Sequence, residues 1–529
     1  MKNNADALFF TQEVCVEAPQ TSAGFHRKYQ KNFDDEGAWN MNGQRLIDRL
    51  LANVGIIVCS GIMACLFGTG WNINAFPIGE RSGHFRETLV IGIMFFVIFL
   101  LLAKIYGAFT ISVLRSTQLA LNQILSLFVT DFVMYCSISL FRGNWNGRYL
   151  WLVFPLQCIV AVLFSRITEK LYFCRNNPQK TVIIDDAHKG IRQIIHDHGL
   201  DRKFNVVREV TVDEFLRSKD SILSEADVFF TSGMHSHDRN TIIKYCVEKN
   251  KEAYVIPLIG DMIMSSASPV HMLHIPVFRI ERYHPTLLYF AGKRIFDIFV
   301  SASALIILFP VMAVISAAIW LHDKGPVFYR QCRLTRDGKE FYILKFRSMR
   351  TDAEKDGIAR LSTGTADDRI TPVGRVIRKI RADELPQLIN ILKGDMSVVG
   401  PRPERPEIAA DYETRMPEFR LRLQVKAGLT GYAQVYGRYN STPYDKLLMD
   451  LNYIAHPGLI RDFGLCLATI RVLLEPESTA GIEEGTTADP GGKDIYGEAD
   501  VVSDTTEEIN KEDKEKDIQK CSQFSSRVE

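Results

Sequence analysis

The chain has 529 residues, 47% of them hydrophobic, which is enough for two or three domains with sizeable cores. Its formal net charge of +1 hides an asymmetry, because residues 477–529 carry 15 acidic against 6 basic groups and mask a basic body. That body suits anionic headgroups and nucleotide phosphates, and no nucleic-acid-binding motif accompanies it, so nucleic acid is excluded as an expected partner. The ten cysteines form no C-x-x-C pair, which argues against a zinc site or a disulfide framework.

Residues 1–44 are polar, lack the apolar core of a cleavable signal and read as a disordered cytoplasmic lead. Four apolar segments follow, near 46–67, 86–108, 119–141 and 150–173, each roughly the 20 residues that cross a bilayer. They predict a four-helix transmembrane domain over 45–175. Arg27, Lys28, Lys31, Arg45 and Arg49, flanking the start of the first helix, and Arg166, Lys170, Arg175 and Lys180, flanking the exit of the fourth, put both ends of the block in the cytoplasm of an inner-membrane protein. Asp131, within the third segment, is expected to face the bundle as a polar partner.

From 176 to 285 the pattern changes to short apolar runs (181–186, 204–210, 227–232, 253–259) separated by helical stretches, which predicts a doubly wound α/β accessory domain. A dinucleotide site would need glycines after the first strand; Asp185 and Asp186 stand there instead and would repel a phosphate. His235 and His237 form an H-x-H with no further ligand cluster in reach, so a loop is expected there.

Residues 295–321 are again long and apolar enough to span. Basic residues occupy both flanks, Lys293 and Arg294 before and Lys324, Arg330 and Arg333 after, and Pro310 interrupts the middle. The pattern predicts a re-entrant helix-break-helix that enters and leaves one leaflet, with a kinked spanning helix as the alternative. Lys293 and Arg294 would either meet a lipid phosphate or anchor in the interface. Residues 325–349 read as a hairpin turning at Asp337-Gly338.

The densest chemistry lies in RADELPQLINILKGDMSVVGPRP, residues 381–403. Adjacent carboxylates Asp383 and Glu384 precede a short amphipathic helix with Leu385, Leu388, Ile389 and Leu392 at helical spacing, Pro386 in its first turn and Gly394 at its end. A helix N-terminus favours an anion, and Arg375, Arg378, Lys379, Arg381, Arg402 and Arg405 crowd the same stretch. Two carboxylates among guanidinium groups suit phosphoryl transfer; a solvated ion-pair network would use the same residue types.

LPQLIN, KGDMSVVGPRPE and the upstream ILKFRSM resemble the catalytic domain of bacterial polyprenyl-phosphate hexose-1-phosphate transferases, the monotopic phosphoglycosyl transferase superfamily, over residues 291 to about 475. VKAGLTGYAQVYGR, residues 425–438, resembles a further family element with Ala427 where proline is usual, and HPG at 456–458 departs from the family pattern. Large members of that family carry four helices and an accessory domain ahead of the catalytic part, and their apolar catalytic-domain segment is re-entrant. The resemblance implies transfer of a sugar-1-phosphate from a UDP-sugar to undecaprenyl phosphate, the first membrane step of exopolysaccharide, capsule or O-antigen assembly, on the cytoplasmic face.

It also implies residue roles. Asp383 would attack the sugar-bearing phosphate to form a covalent intermediate, Glu384 would help hold Mg2+, and Lys345, Arg378 and Arg402 would contact phosphate and nucleotide. Gln387 would either support the site or lie on the helix surface. A homodimer is compatible with a large family member, although no heptad marks an interface. Helical stretches at 443–455 and 459–474 could rest on the membrane surface, and the acidic 476–529 reads as a disordered tail. The competing function is a catalytically inactive membrane scaffold or regulator of polysaccharide assembly, against which the intact Asp383, Glu384, Arg378 and Arg402 argue.

Overall fold

The computed structural model describes residues 36–474, apart from 78, 79, 82, 187–189, 273, 284, 351–368 and 438–441. The acidic tail and most of the N-terminal lead lie outside the described residues. The first helix, α1 (Glu36–Ala75), begins within the expected lead, so residues 36–44 are helical rather than disordered. Helices α2 (Phe85–Ile105), α3 (Ser116–Arg142) and α4 (Leu150–Arg175) follow. All four contain stretches long and apolar enough to cross a membrane.

They pack on one another through Met63, Phe67, Phe95, Phe99, Leu127 and Ala161 and turn other apolar side chains, such as Leu101, Phe132 and Leu163, outward. Lipid-facing helices are apolar on the outside as well as within, which is why these segments show little amphipathic contrast in sequence. Asp131 is buried inside α3, as are Gln123 and Thr130 on the same helix.

Four parallel strands form the next layer: β1 (Gln179–Asp185), β2 (Phe204–Val210), β3 (Val228–Ser232) and β4 (Glu252–Val255). Their order is β2-β1-β3-β4, and short helices connect them. The strands coincide with the predicted apolar runs within a few residues; the central β1 and β3 are mostly buried and read as continuous apolar stretches, while the edge strands β2 and β4 are more exposed. Asp186 Oδ1 accepts the Val212 amide at 2.9 Å and thus ties loops together. A small antiparallel pair, β5 (Ser268–Met272) and β6 (Ile275–Arg279), precedes the C-terminal region.

Helix α5 (Leu287–Asp323) is the fifth segment of spanning length. The expected break is absent: the helix runs through Pro310 without interruption, a proline costing less where the neighbouring backbone can adjust. Both halves of α5 pack on the same globular region. Phe296 and Val300, before Pro310, join the core of Leu388 and Ile391. Met312, Ile315 and Ile319, after it, pack with Phe346, Ile377 and Ala382. Asp323 at the far end pairs with Arg347.

Strands β7 (Phe328–Leu334) and β8 (Glu340–Phe346) form the predicted hairpin. Asp337 (φ 60°) and Gly338 (φ 71°) both take the left-handed region that such a turn requires. Helix α6 (Pro372–Lys379) is capped by Thr371, whose hydroxyl accepts the Gly374 amide at 2.9 Å. After a 3-10 turn, Ala382–Glu384, comes α7 (Gln387–Lys393), closed by Gly394 at φ 96°.

Strand β9 (Ser397–Val399) pairs in parallel with β10 (Gly428–Thr430), with α8 (Pro406–Arg415) and a 3-10 segment, Pro417–Gln424, between them. A Cβ on Gly428 would lie 2.1 Å from the Gly400 amide nitrogen, so the two chains cross only because neither carries a side chain there. Ala427, in place of the usual proline, uses its amide to donate to Thr335 Oγ1 at 3.2 Å.

Helices α9 (Pro443–Ala455) and α10 (Leu459–Leu474) match the expected stretches. Neither simply rests on a surface. α9 buries Leu447, Leu451, Tyr453 and Ile454 in the core shared with Leu388 and Ile391. α10 sends Leu465 and Ala468 into the same core, while its Leu467 packs with Leu102, Tyr106 and Leu125 at one end of the four-helix bundle. There Arg471 Nη1 reaches Asn122 Oδ1 at 3.5 Å. Ile460 and Ile470 of α10 remain exposed.

Candidate active site

Three elements bring four of the predicted site residues together. The 3-10 turn presents Asp383 and Glu384, β8 presents Lys345, and the loop after β9 presents Arg402. Arg381 precedes the turn with φ 53°, an uncommon conformation for a side chain of its size, and reverses the chain between α6 and the carboxylates. Helix α7 is only seven residues long and starts after the pair, so the positive surroundings of the carboxylates come from side chains rather than from a helix end.

The two acids are treated differently. Glu384 Oε1 accepts from Arg402 Nη2 at 2.8 Å and from Lys345 Nζ at 3.3 Å. Its side chain is 14% exposed. Burial alone would raise its carboxyl; the Arg402 and Lys345 cations overcome that and hold it far below the usual carboxylate range. Asp383 receives no hydrogen bond on its carboxylate from the described residues. Burial, and then the neighbouring Glu384 charge, push its carboxyl upward, against the pull of Lys345, Arg378 and Arg402. Arg378, in the last turn of α6, thus acts on Asp383 through its charge. Burial lowers the Lys345 ammonium, with the Glu384 carboxylate opposing it.

The two remaining cations stand elsewhere. Lys293 is 14% exposed and donates to Asp462 Oδ2 at 2.9 Å and to the Val399 carbonyl at 3.1 Å. Arg294 donates to the Ile391 and Leu392 carbonyls, each at 2.7 Å, and so closes the C-terminal end of α7. Both hold the catalytic region onto α5, because a buried carboxylate and free helix-end carbonyls are stronger local claims than solvent. Basic flanks of an apolar segment do not reveal this.

Asn390 was passed over in the sequence. It is buried in α7, where its side chain accepts the Leu344 amide at 2.9 Å and donates to the Tyr342 carbonyl at 2.9 Å. It therefore fixes α7 against the strand that carries Lys345. Gln387 is buried on the same helix, not on its surface. The buried residues Gln387, Leu388, Asn390 and Ile391 mark the inward face, which shares only Leu388 with the apolar positions expected to define it.

The chain matches the bacterial sugar transferase family over residues 288–476. An Exopolysaccharide production protein PSS of Rhizobium leguminosarum is 38% identical over 187 residues, covering 34% of this chain and 92% of that protein. The chain belongs to the bacterial sugar transferase family.

A UDP-glucose:undecaprenyl-phosphate glucose-1-phosphate transferase of Caulobacter vibrioides is 38% identical over 191 residues, 35% of this chain and 71% of its own length. A UDP-N-acetylgalactosamine-undecaprenyl-phosphate N-acetylgalactosaminephosphotransferase of Aeromonas hydrophila is 35% identical over 227 residues. That match covers 38% of this transferase and 53% of the relative, about half its length. All the residues that meet at the site lie inside the family match. Members with different sugars in their names thus share similarity with the same region.

Proposed function

We propose that this transferase moves a sugar-1-phosphate from a UDP-sugar to undecaprenyl phosphate, giving undecaprenyl-diphosphate-sugar and UMP, through a covalent intermediate on Asp383. The observation that carries the reading is the contrast between a Glu384 clasped by two cations and an Asp383 whose carboxylate accepts no bond from the described residues. In the first step an Asp383 oxygen attacks the β-phosphorus, the bond to the UMP oxygen breaks, and UMP leaves with the electron pair. In the second, an oxygen of the lipid phosphate attacks the acyl phosphate and returns the Asp383 carboxylate. Lys345, Arg378 and Arg402 would neutralise the diphosphate oxygens, and bidentate arginine suits them. Splitting the transfer lets a soluble and a lipid substrate use one site in turn.

Mg2+ fits the pair. No cluster of three metal-ligating side chains forms among the described residues, and magnesium typically takes one or two protein carboxylates and fills its remaining positions with substrate oxygens and water. Glu384 would help hold it, leaving Asp383 free for phosphorus, and it would supply charge neutralisation at the diphosphate.

The helix contacts support a cytoplasmic, one-sided arrangement in the inner membrane. Both halves of α5 lie against one domain, which favours a re-entrant segment over a crossing. α10 packs at the end of the bundle where α2 stops and α3 starts, the end assigned to the cytoplasm by the lysine and arginine bias. The strand order turning back at β1 fits a doubly wound accessory domain. The membrane step would be the first of a surface-glycan pathway.

The deciding experiment incubates the full chain with Mg2+ and a panel of UDP-sugars labelled in the β-phosphate, before lipid is added. Label should attach to wild type, be absent from Asp383→Asn and move onto undecaprenyl phosphate when that is supplied. UMP release only in the presence of lipid would discard the covalent intermediate. No release with any sugar would favour the scaffold.

A further inference from the structure

The loop that carries Arg402 is held carbonyl by carbonyl. Pro401 O accepts the Gly428 amide at 2.9 Å, and Glu404 O accepts the Leu334 amide at 3.0 Å. Pro403 O accepts Arg333 Nη1 at 3.1 Å, and the carbonyl of Arg402 itself accepts Arg422 Nη2 at 3.0 Å.

The last of these donors belongs to a deeply buried ion cluster. Arg422, on the 3-10 segment before β10, is 4% exposed. Its Nη2 lies 2.7 Å from Asp450 Oδ2, and Asp450, on α9, is 2% exposed. Its Nη1 lies 3.5 Å from Glu404 Oε1, two residues beyond Arg402. The Phe419 ring packs on the guanidinium at 4.8 Å. Burying such a pair is costly, and an apolar replacement of the same volume would pack the space at lower cost. What an apolar side chain cannot do is donate to the Arg402 carbonyl while holding Glu404 in place.

We propose that Arg422 and Asp450 are positioning residues of the active site, which fix the Arg402 main chain and thereby aim its guanidinium at Glu384. Asp450 orients Arg422, Arg422 holds the Arg402 carbonyl, and the Arg402 side chain reaches Glu384 from a backbone that cannot turn. A lysine at 422 keeps the charge and loses the planar fork that serves three acceptors at once.

The inference rests on the transferase reading, and wild-type UMP release separates the two: its failure sinks the reading, while the variants judge the clamp. Full-length wild type, Arg402→Ala, Arg422→Lys, Asp450→Asn and the two double variants with Arg402→Ala would be reconstituted in nanodiscs. Each would be measured for kcat, for UDP affinity and for its thermal midpoint. Arg422→Lys and Asp450→Asn should each lower kcat by about tenfold to 100-fold and weaken UDP, with the fold retained. In the Arg402→Ala background neither should lower UDP affinity or residual kcat further, because there is no guanidinium left to aim. A second, multiplicative loss in either double variant, or full kcat in both single variants, would overturn the proposal. So would loss of the folded state in both, which would make the pair a structural strut only.

Discussion

Arg402 Nη2 lies 2.8 Å from Glu384 Oε1, and the residue before Glu384 is denied any such partner among the described residues. Two neighbouring carboxylates therefore sit on opposite sides of their ordinary titration ranges. Asp383, with its carboxyl raised, is destabilising to the fold when ionised, above its ordinary range, and that cost disappears on protonation. Glu384, with its carboxyl lowered, contributes stability that is present above its ordinary range and is lost as pH falls through its folded value. At neutral pH in EDTA, Asp383→Asn should raise the thermal midpoint or leave it unchanged. Glu384→Gln should lower stability by about 1.5–3 kcal/mol, the range for hydrogen bonds to charged groups. Thermal unfolding of both variants checks this, and equal effects of the two would refute it.

Lys293 neutralises an Asp462 carboxylate that is fully buried and also bonded by Tyr453 and Tyr289. Lys293→Met leaves that charge unpaired and should cost about 3–5 kcal/mol. Any folded fraction should keep the wild-type KM for polyprenyl phosphate. A raised KM at unchanged stability would instead restore Lys293 as a lipid-phosphate contact.

Asn390→Ala removes the bonds to Leu344 and Tyr342 and leaves a strand amide without its acceptor. The expected cost is about 1–3 kcal/mol. Hydrogen exchange should speed up in β8 at Leu344, and kcat should fall because Lys345 is the next residue. Unchanged exchange in β8 would contradict the role given to Asn390.

Two cations already neutralise Glu384 in the substrate-free protein. Mg2+ alone should therefore bind weakly, and tightly only together with UDP, whose oxygens add ligands and draw Arg402 and Lys345 away. Calorimetric titration of MgCl2 with and without UDP tests this. Tight binding of the metal alone would show that the carboxylates suffice.

That Asp383, Glu384, Lys345 and Arg402 come together was legible in the sequence, because carboxylates and cations stand in short motifs of recognisable wording. The five apolar helices were legible because their outward faces are as apolar as their packed ones, and the central parallel strands because burial on both faces leaves short apolar runs. Arg422 and Asp450 were not, since the partner of each lies on another element and no local spacing announces a distant carbonyl. The contacts of Lys293 and Arg294 were hidden for the same reason. Their position beside an apolar segment fits a membrane interface, while the groups they bond in the structure, Asp462 and the end of α7, are distant in sequence. Pro310 signalled a break that the helix does not make.

The ties at the two ends of α5 have a mechanical consequence. A free membrane helix adapts to bilayer thickness by sliding or tilting. This one, about 55 Å long at the usual rise, is fastened near its start through Arg294 and at its end through Asp323, with Ile306, Ile307 and Phe309 exposed between. In the one-sided arrangement proposed above, it would act as a wedge of set depth. Lipid thinner or thicker than that wedge would have to deform around it, and the height of Asp383 above the hydrocarbon would then be dictated by the protein and not by the membrane it meets.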